Sequence, residues 1–248
     1  MFELDFQDQT VLVTGASRGI GRQIALDLSA CGARLIVTAM DHGRESVLRD
    51  ELGESMVFLP VDFSDRDSTD RFLHEIGALE RIDACVNNAG MLLSSKPVFE
   101  IESPDWDEIQ AVNLKAPFLV TQAVARVMRR QGYGRIVNVT SIWGHITIPG
   151  RAAYTSSKFG LRGLTTSAAA DLAPDNILVN AVAPGFTLTE MVKKNFSPSD
   201  IEALAGSIPL GRLASTAEIS RAVLFLASAL NTYITGQSLV IDGGYSIV

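Results

Sequence analysis

The sequence predicts an α/β protein: one doubly wound parallel sheet of seven strands with helices on both faces. Three observations predict it. Short β-branched runs alternate with longer helical patterns. Most of those runs are apolar at successive positions, as in strands buried on both faces of a helix-covered parallel sheet. The resulting βαβ rhythm implies right-handed crossovers, and it runs through 248 residues with no linker or internal repeat, a single domain spanning 1–248.

In order, the strand runs are TVLVT (10–14), RLIVT (34–38), MVFLP (56–60), IDACV (82–86), RIVNVT (135–140), ILVNAVA (177–183) and SLVI (238–241). Helical patterns fall near 19–30, 43–52, 65–77, 105–131, 153–173 and 216–229. Ser103 followed by Pro104 reads as an N-cap with proline at the first helical position. Ser215 to Glu218 fits a capping box, and Asn231 reads as a C-terminal stop. One stretch breaks the rhythm: residues 184–213 carry three prolines and three glycines. Within it, 186–213 is expected to be an insertion that covers a site from above, as long connections after a parallel strand do.

Composition bounds the function. With 47% hydrophobic and 20% charged residues the chain is no disordered segment. A net charge of −7 gives no electrostatic basis for binding nucleic acid or an anionic membrane. No run is apolar enough to span a bilayer, and the acidic start MFELDFQDQT lacks the order of a signal peptide. Cys31 and Cys85 form no CxxC and are expected as reduced thiols of a cytoplasmic protein. His42, His74 and His145 are scattered, so no metal site is expected.

The first strand runs straight into TGASRGIG, where Gly15, Ser17, Arg18, Gly19, Ile20 and Gly21 lie between strand and helix. Gly15 permits a tight turn, and Gly19 and Gly21 let backbone approach a pyrophosphate at the helix start. The spacing is GxxxGxG, a variant of the dinucleotide fingerprint. The acidic residue that reads a ribose 2′-hydroxyl in NAD proteins falls on Ala39, which leaves that slot empty, while Arg18 and Arg44 are placed to meet a 2′-phosphate. NADP(H) is therefore favoured over NAD(H); the alternative is that Asp41 swings in and NAD(H) is used.

Tyr154 and Lys158 are one helical turn apart and share a face. A neighbouring ammonium favours phenolate, so the pair can be a tuned acid/base; the alternative is a surface tyrosine lying over a lysine stem, the commoner use of this spacing. Together with NNAG at 87–90, Asn113, Ser141 and Pro184-Gly185, the pair occurs in an order and spacing that resembles the short-chain dehydrogenase/reductase family. The resemblance runs from the first strand to Ile241-Asp-Gly-Gly-Tyr245 and implies a Rossmann-type fold.

It also implies roles. Tyr154 is the general acid in ketone reduction and the base in alcohol oxidation. Ser141 holds the carbonyl oxygen beside it. Lys158 lowers the Tyr154 pKa by its charge and, in the family, bonds the nicotinamide ribose. Asn113 carries a water of a proton relay in relatives; the alternative is a helix-bend residue. Asn88, Ala89 and Gly90 line the adenosine-ribose wall in the family, while Asn87 braces the sheet. Asp62 matches an adenine contact, or else caps the next helix. Pro184, Gly185, Thr187 and Thr189 match the loop facing the nicotinamide carboxamide.

Position then suggests a pocket of Ser141, Trp143, His145, Tyr154, Phe186 and Met191, with Met91 and Leu92 on one wall, for a small or medium carbonyl or alcohol with an apolar body. Arg151 is read as a polar loop residue. The expected function is NAD(P)(H)-dependent interconversion of a ketone and a secondary alcohol. One alternative is the family's 3-oxoacyl-carrier-protein reductases, which need a basic docking face. Arg129-Arg130 supplies part of that face and Asp171 and Asp175 oppose it. An alternative of another class is a catalytically silent nucleotide-binding scaffold. The helices at 105–131 and 153–173 are apolar on more than one face, and relatives pair such helices, so a homotetramer or homodimer is expected.

Overall fold

Seven runs of buried residues become seven strands: β1 Thr10–Val13, β2 Arg34–Ala39, β3 Val57–Pro60, β4 Ala84–Asn87, β5 Gly134–Val139, β6 Ile177–Pro184 and β7 Ser238–Ile241. The structure is a computed structural model and describes residues 4–248; the first three residues of the acidic N-terminal stretch lie outside it. All pairings are parallel, in the order β3-β2-β1-β4-β5-β6-β7. Burial on both faces is visible residue by residue. Val11 and Val13 enter one core with Ile24, Leu28, Val223 and Leu224. Leu12 between them enters the other, with Phe72, Val124, Met128 and Ile136. Alternate side chains of one strand thus feed two cores.

The first core holds α1 (Gly19–Ala30), α2 (Glu45–Leu52) and α9 (Thr216–Ala227). The second holds α3 (Arg66–Gly77), α5 (Ala116–Gln131) and α6 (Ala152–Leu172). The helix expected over 105–131 starts earlier and is not uniform: α4 (Ser103–Gln110) passes through a π-turn at Ala111–Lys115 into α5. The cap expected at Ser103 lies one residue back, at Glu102, and makes no side-chain bond; Ser103 and Pro104 are already helical. The Ser215–Glu218 capping box forms as expected. Helix α9 stops at Ser228, and Asn231 instead pins the following turn by accepting from Ile234 N at 2.9 Å.

The 186–213 insertion contains two helices the sequence reading did not foresee, α7 (Glu190–Asn195) and α8 (Pro198–Gly206). A capping box of Ser197 and Asp200 starts α8; its acid is Asp, one carbon shorter than the Glu of the usual motif. The insertion's two ends are stapled together: Ala214 N donates to Phe186 O at 2.9 Å and Leu188 N to Ala214 O at 2.8 Å.

A buried polar ladder ties the helices that flank the site to the sheet. Asn87 and Asn138 face each other across β4 and β5. Asn87 Nδ2 donates to Asn138 Oδ1 at 2.8 Å and to Thr121 Oγ1 on α5 at 3.2 Å. Asn138 Nδ2 donates to Thr165 Oγ1 on α6 at 2.9 Å. Asn87 therefore braces the sheet, as read from the sequence. Removing Asn138 takes from Asn87 one buried acceptor and leaves its Nδ2 only Thr121. Asn138→Ala is expected to cost about 1–3 kcal/mol, read as a lower denaturant midpoint at unchanged m-value; a cost within about 0.5 kcal/mol would show that the ladder carries little.

Candidate active site

The sheet order reverses between β1 and β4, and there the carboxyl ends of the strands open a crevice. The β1 loop is clasped to the β4 loop across it. Asn88 Nδ2 donates to Thr14 O at 2.9 Å and Gly15 O at 3.0 Å, while Asn88 N and Ala89 N both donate to Thr14 Oγ1 at 3.0 Å. Gly15 sits at φ +67° with its absent Cβ facing Ala89 Cα at 2.9 Å, and a Cβ on Gly21 would collide with the Asn88 amide. Both glycines are dictated by this close approach. The Asn88 amide expected on the ribose wall is thus committed to bracing the glycine loop.

Helix α1 begins at this loop with no side-chain cap and no acidic residue in its first turn. Its unpaired N–H groups and positive end suit a pyrophosphate, so the residues present fit the dinucleotide read from the sequence. Arg18 is exposed at its cap position. Arg44, from the turn after β2, donates through Nη2 to Ser17 O at 2.9 Å. Asp41 caps that turn, its Oδ1 accepting from Gly43 N at 2.8 Å. Thr189 lies over Gly19, and Thr187 Oγ1 donates to Gly185 O at 3.1 Å. Gly185 N in turn donates to Ile241 O at 2.9 Å, so the loop after Pro184 is anchored on β7. Asp62 stands past the end of β3 and accepts from Ser64 N and Oγ at 2.9 and 2.7 Å. The cap of α3 is Asp65, not Asp62, with Oδ1 accepting from Ser68 N at 2.9 Å.

Asn113, Ser141, Tyr154 and Lys158 converge beside this crevice from three elements. Asn113 is in the π-turn and wholly buried. Its amide clamps the chain just after Gly90: Oδ1 accepts from Met91 N at 2.8 Å and Nδ2 donates to Met91 O at 2.9 Å. Nδ2 also reaches Ser157 Oγ at 3.2 Å, one residue before Lys158. The helix-bend reading of Asn113 holds, and the bend brings its amide to α6. Gly90 lies over both Asn113 and Lys158. Ser141 follows β5 and accepts from Trp143 N at 3.2 Å.

Lys158 is 4% exposed. Its Nζ donates to Val139 O at 3.0 Å and stands 5.6 Å from the Tyr154 ring centroid. Burial holds it at about 8. Burial also pushes the Tyr154 phenol up, against a hydrogen bond to Ser141 and the charge of Arg151, which pull it down. This corrects the expectation that Lys158 lowers Tyr154: desolvation wins, and the groups opposing it are Ser141 and Arg151. The protein alone therefore presents a protonated phenol, suited to donate to a substrate oxygen.

On the substrate side, Trp143 and Phe186 meet edge to face with centroids 6.2 Å apart. Tyr245 completes the cluster, 5.1 Å from Phe186 and 6.2 Å from Trp143. Sequence reasoning gave Tyr245 no role. The signal available was its place after Asp242-Gly-Gly, whose carboxylate accepts from Gly244 N at 2.9 Å and Ser246 N at 2.8 Å and so folds the C-terminus back. Met191 is half exposed on α7. His145 is drawn away to β7, with Nε2 and Ser238 Oγ 2.9 Å apart, and burial and the Arg162 charge hold its imidazole below the usual value. A shallow cleft, open to solvent, lies beside Tyr154, lined by the apolar side chains of Leu92, Leu93, Ile101 and Ile109 and by Arg151. Among the described residues no cluster of His, Cys, Asp and Glu could hold a metal ion, and no helix is long and apolar enough to cross a membrane.

A family model described as enoyl-(acyl carrier protein) reductase matches residues 15–246. The chain is 39% identical to 3-oxoacyl-(acyl-carrier-protein) reductase of Aquifex aeolicus, over 98% of this chain and 99% of that protein. It is 40% identical to a cyclopentanol dehydrogenase of Comamonas sp., over 96% and 97%. It is also similar to the crystal structure of a gluconate 5-dehydrogenase of Burkholderia cenocepacia in complex with NADP and tartrate, with a TM-score of 0.90 at 31% identity over 99% and 98% of the chains.

The depressed Lys158 value has a thermodynamic consequence. Between about 8 and the usual 10.5 the unfolded chain holds more protons on this group than the folded one, so rising pH stabilises the fold through it. Lys158→Met removes that gain. The stability of the wild type minus that of the variant, from denaturant unfolding at about pH 7.5 and about pH 9.5, is expected to increase with pH. A difference that stays flat would mean the ammonium is not desolvated.

Proposed function

The chain belongs to the short-chain dehydrogenase/reductase family, and from that premise we propose that Asn113, Ser141, Tyr154 and Lys158 are its catalytic machinery and NADP(H) its preferred cofactor. It is an NAD(P)-dependent oxidoreductase that interconverts a ketone and an alcohol at a CH–OH centre. The observation that carries the residue assignment is the placement of Tyr154 on the wall of a cleft with Lys158 Nζ 5.6 Å from its ring centroid, where burial raises the phenol and Ser141 opposes that rise. The nicotinamide ring, when bound, supplies or accepts the hydride.

In reduction, Tyr154 and Ser141 donate to the substrate carbonyl oxygen as negative charge grows there. Tyr154 then gives that oxygen its proton. The Lys158 ammonium, retained at neutral pH by a value of about 8, faces the phenolate left behind. Asn113 positions rather than reacts, holding the Met91 backbone and Ser157 around the site. This division of labour gives every buried polar group of the site a task, which a silent scaffold would not require.

Two guanidiniums and no carboxylate in the ribose slot support NADP(H). Ala39 ends β2 with a methyl group, Asp41 is held on Gly43 N, and Arg44 stands on the glycine loop near Arg18. The substrate is a free small molecule in this reading. The similarity to an acyl-carrier-protein reductase favours a carrier-bound substrate instead. Against it, Arg129 Nε is paired with Asp175 at 2.6 Å, so half of the basic pair an acidic carrier needs is neutralised. Exposed Phe118 on α5 and Phe159 on α6 support a homotetramer or homodimer built on these helices. A reducing cytoplasm fits Cys85, which lies buried inside the sheet.

Tyr154→Phe is expected to lower kcat by about a hundredfold to ten-thousandfold while NADPH affinity, read by fluorescence titration, stays within about threefold. Near-normal turnover would remove Tyr154 from its role. Arg44→Ala is expected to weaken NADPH binding about tenfold or more and to leave NADH binding little changed, the signature of a lost charge-assisted bond to a 2′-phosphate. Equal loss for both cofactors would assign Arg44 to the glycine loop alone.

A further inference from the structure

The cleft beside Tyr154 carries a charge that the fold does not use. Arg151 lies on its rim and is partly buried. It makes no ion pair and no side-chain hydrogen bond with any described residue; its backbone oxygen alone is engaged, by Thr155 N at 2.7 Å. It occupies the cap position of α6 without capping it. A cation there meets the positive end of a 21-residue helix, a placement that costs stability. A partly desolvated guanidinium left without a partner adds to that cost.

The other ionic groups of the cleft are spent. Lys96 and Asp105 close on each other at 2.7 Å. The position of Arg151 is fixed from behind, because Ser95 Oγ and Lys96 N donate to Gly150 O at 3.2 and 3.3 Å. Arg151 stands three residues before Tyr154, one turn along the same helix face, and its charge is felt at the Tyr154 hydroxyl. The other lining is mostly apolar, Leu92, Leu93, Ile101, Ile109 and Ala153, with Ser94 and Gly150.

We propose that Arg151 is the anion-recognition residue of the substrate site, and that the substrate is an oxocarboxylate or hydroxycarboxylate. A short apolar segment would separate its carboxylate from the carbon that Tyr154 serves. One guanidinium matches the single charge of a carboxylate and its planar, two-point geometry. The apolar walls take the methylenes between the two ends. This revises the sequence reading of Arg151 as a polar loop residue. It rests on the reading that Tyr154 meets the substrate oxygen.

The test uses the whole enzyme loaded with NADP+, which cannot reduce a ketone, so that binding is read apart from turnover. A series from 3-oxobutanoate to 6-oxoheptanoate is titrated beside the methyl ester of each acid, by calorimetry. At least one acid is expected to bind about tenfold or more tighter than its own ester, in line with a charge-assisted bond. In Arg151→Gln that preference is expected to fall to about threefold or less, and Arg151→Lys to retain part of it. With NADPH, the same preference is expected in kcat/KM and to reside in KM. The proposal is overturned if no acid binds better than its ester to the wild type, a result that needs no variant to fold. It is also overturned if Arg151→Gln weakens acid and ester alike, which would make Arg151 a positioning residue of the helix start. Failure of the underlying reading is separate: it shows as turnover that survives Tyr154→Phe, whatever the acid-to-ester ratio.

Discussion

The architecture depends on two asparagine side chains that meet between β4 and β5. Asn87 and Asn138 hydrogen-bond each other and then reach outward, one to Thr121 on α5 and the other to Thr165 on α6. Buried amides without partners are expensive, so this pairing fixes the register of two helices against the sheet more sharply than apolar packing does. Those helices carry the proposed catalytic residues. Helix α6 holds Tyr154 and Lys158, and α5 continues from the π-turn that holds Asn113. The ladder lies in the floor, and the proposed catalytic groups stand above it at the carboxyl edge of the strands.

Burial sets the electrostatics of the site. It raises the Tyr154 phenol and lowers the Lys158 ammonium, so each is pushed toward its neutral form. A phenol kept protonated and an amine close to its titration point suit a proton that must pass to a substrate oxygen and back. The positive groups nearest the crevice are allotted by position. Arg18 and Arg44 flank the glycine loop, Lys158 lies beneath the phenol, and Arg151 stands at the cleft beyond it.

The substrate side is assembled from segments far apart in the chain. Trp143 follows β5, Phe186 follows β6, and Tyr245 comes from the C-terminal turn that Asp242 folds back. Leu210 N donates to Gly243 O at 3.2 Å, so the insertion and the C-terminus are held together at the same place. Which of these side chains meet is set across space, which is why Tyr245 was given no role and His145 was placed in the pocket when it pairs with Ser238 on β7.

The seven strands, the glycine loop, and the Tyr154 and Lys158 pair were legible because each rests on a local pattern: successive apolar residues in a strand, four residues on a helix, three glycines in a turn. The Ser215 capping box was legible for the same reason. The π-turn at Ala111–Lys115 was not, since its register change is imposed by the contacts Asn113 makes with Met91 and Ser157. Nor was Asp65 as the cap of α3, because two acids three residues apart compete and only the backbone's course decides between them. By itself the sequence determined the layers, the seven parallel strands and the candidate side chains that the structure brings to one crevice. The tertiary structure decided the direction of the Tyr154 shift, the Asn88 clasp and the isolation of Arg151, because desolvation and partner choice depend on what lies across space rather than along the chain.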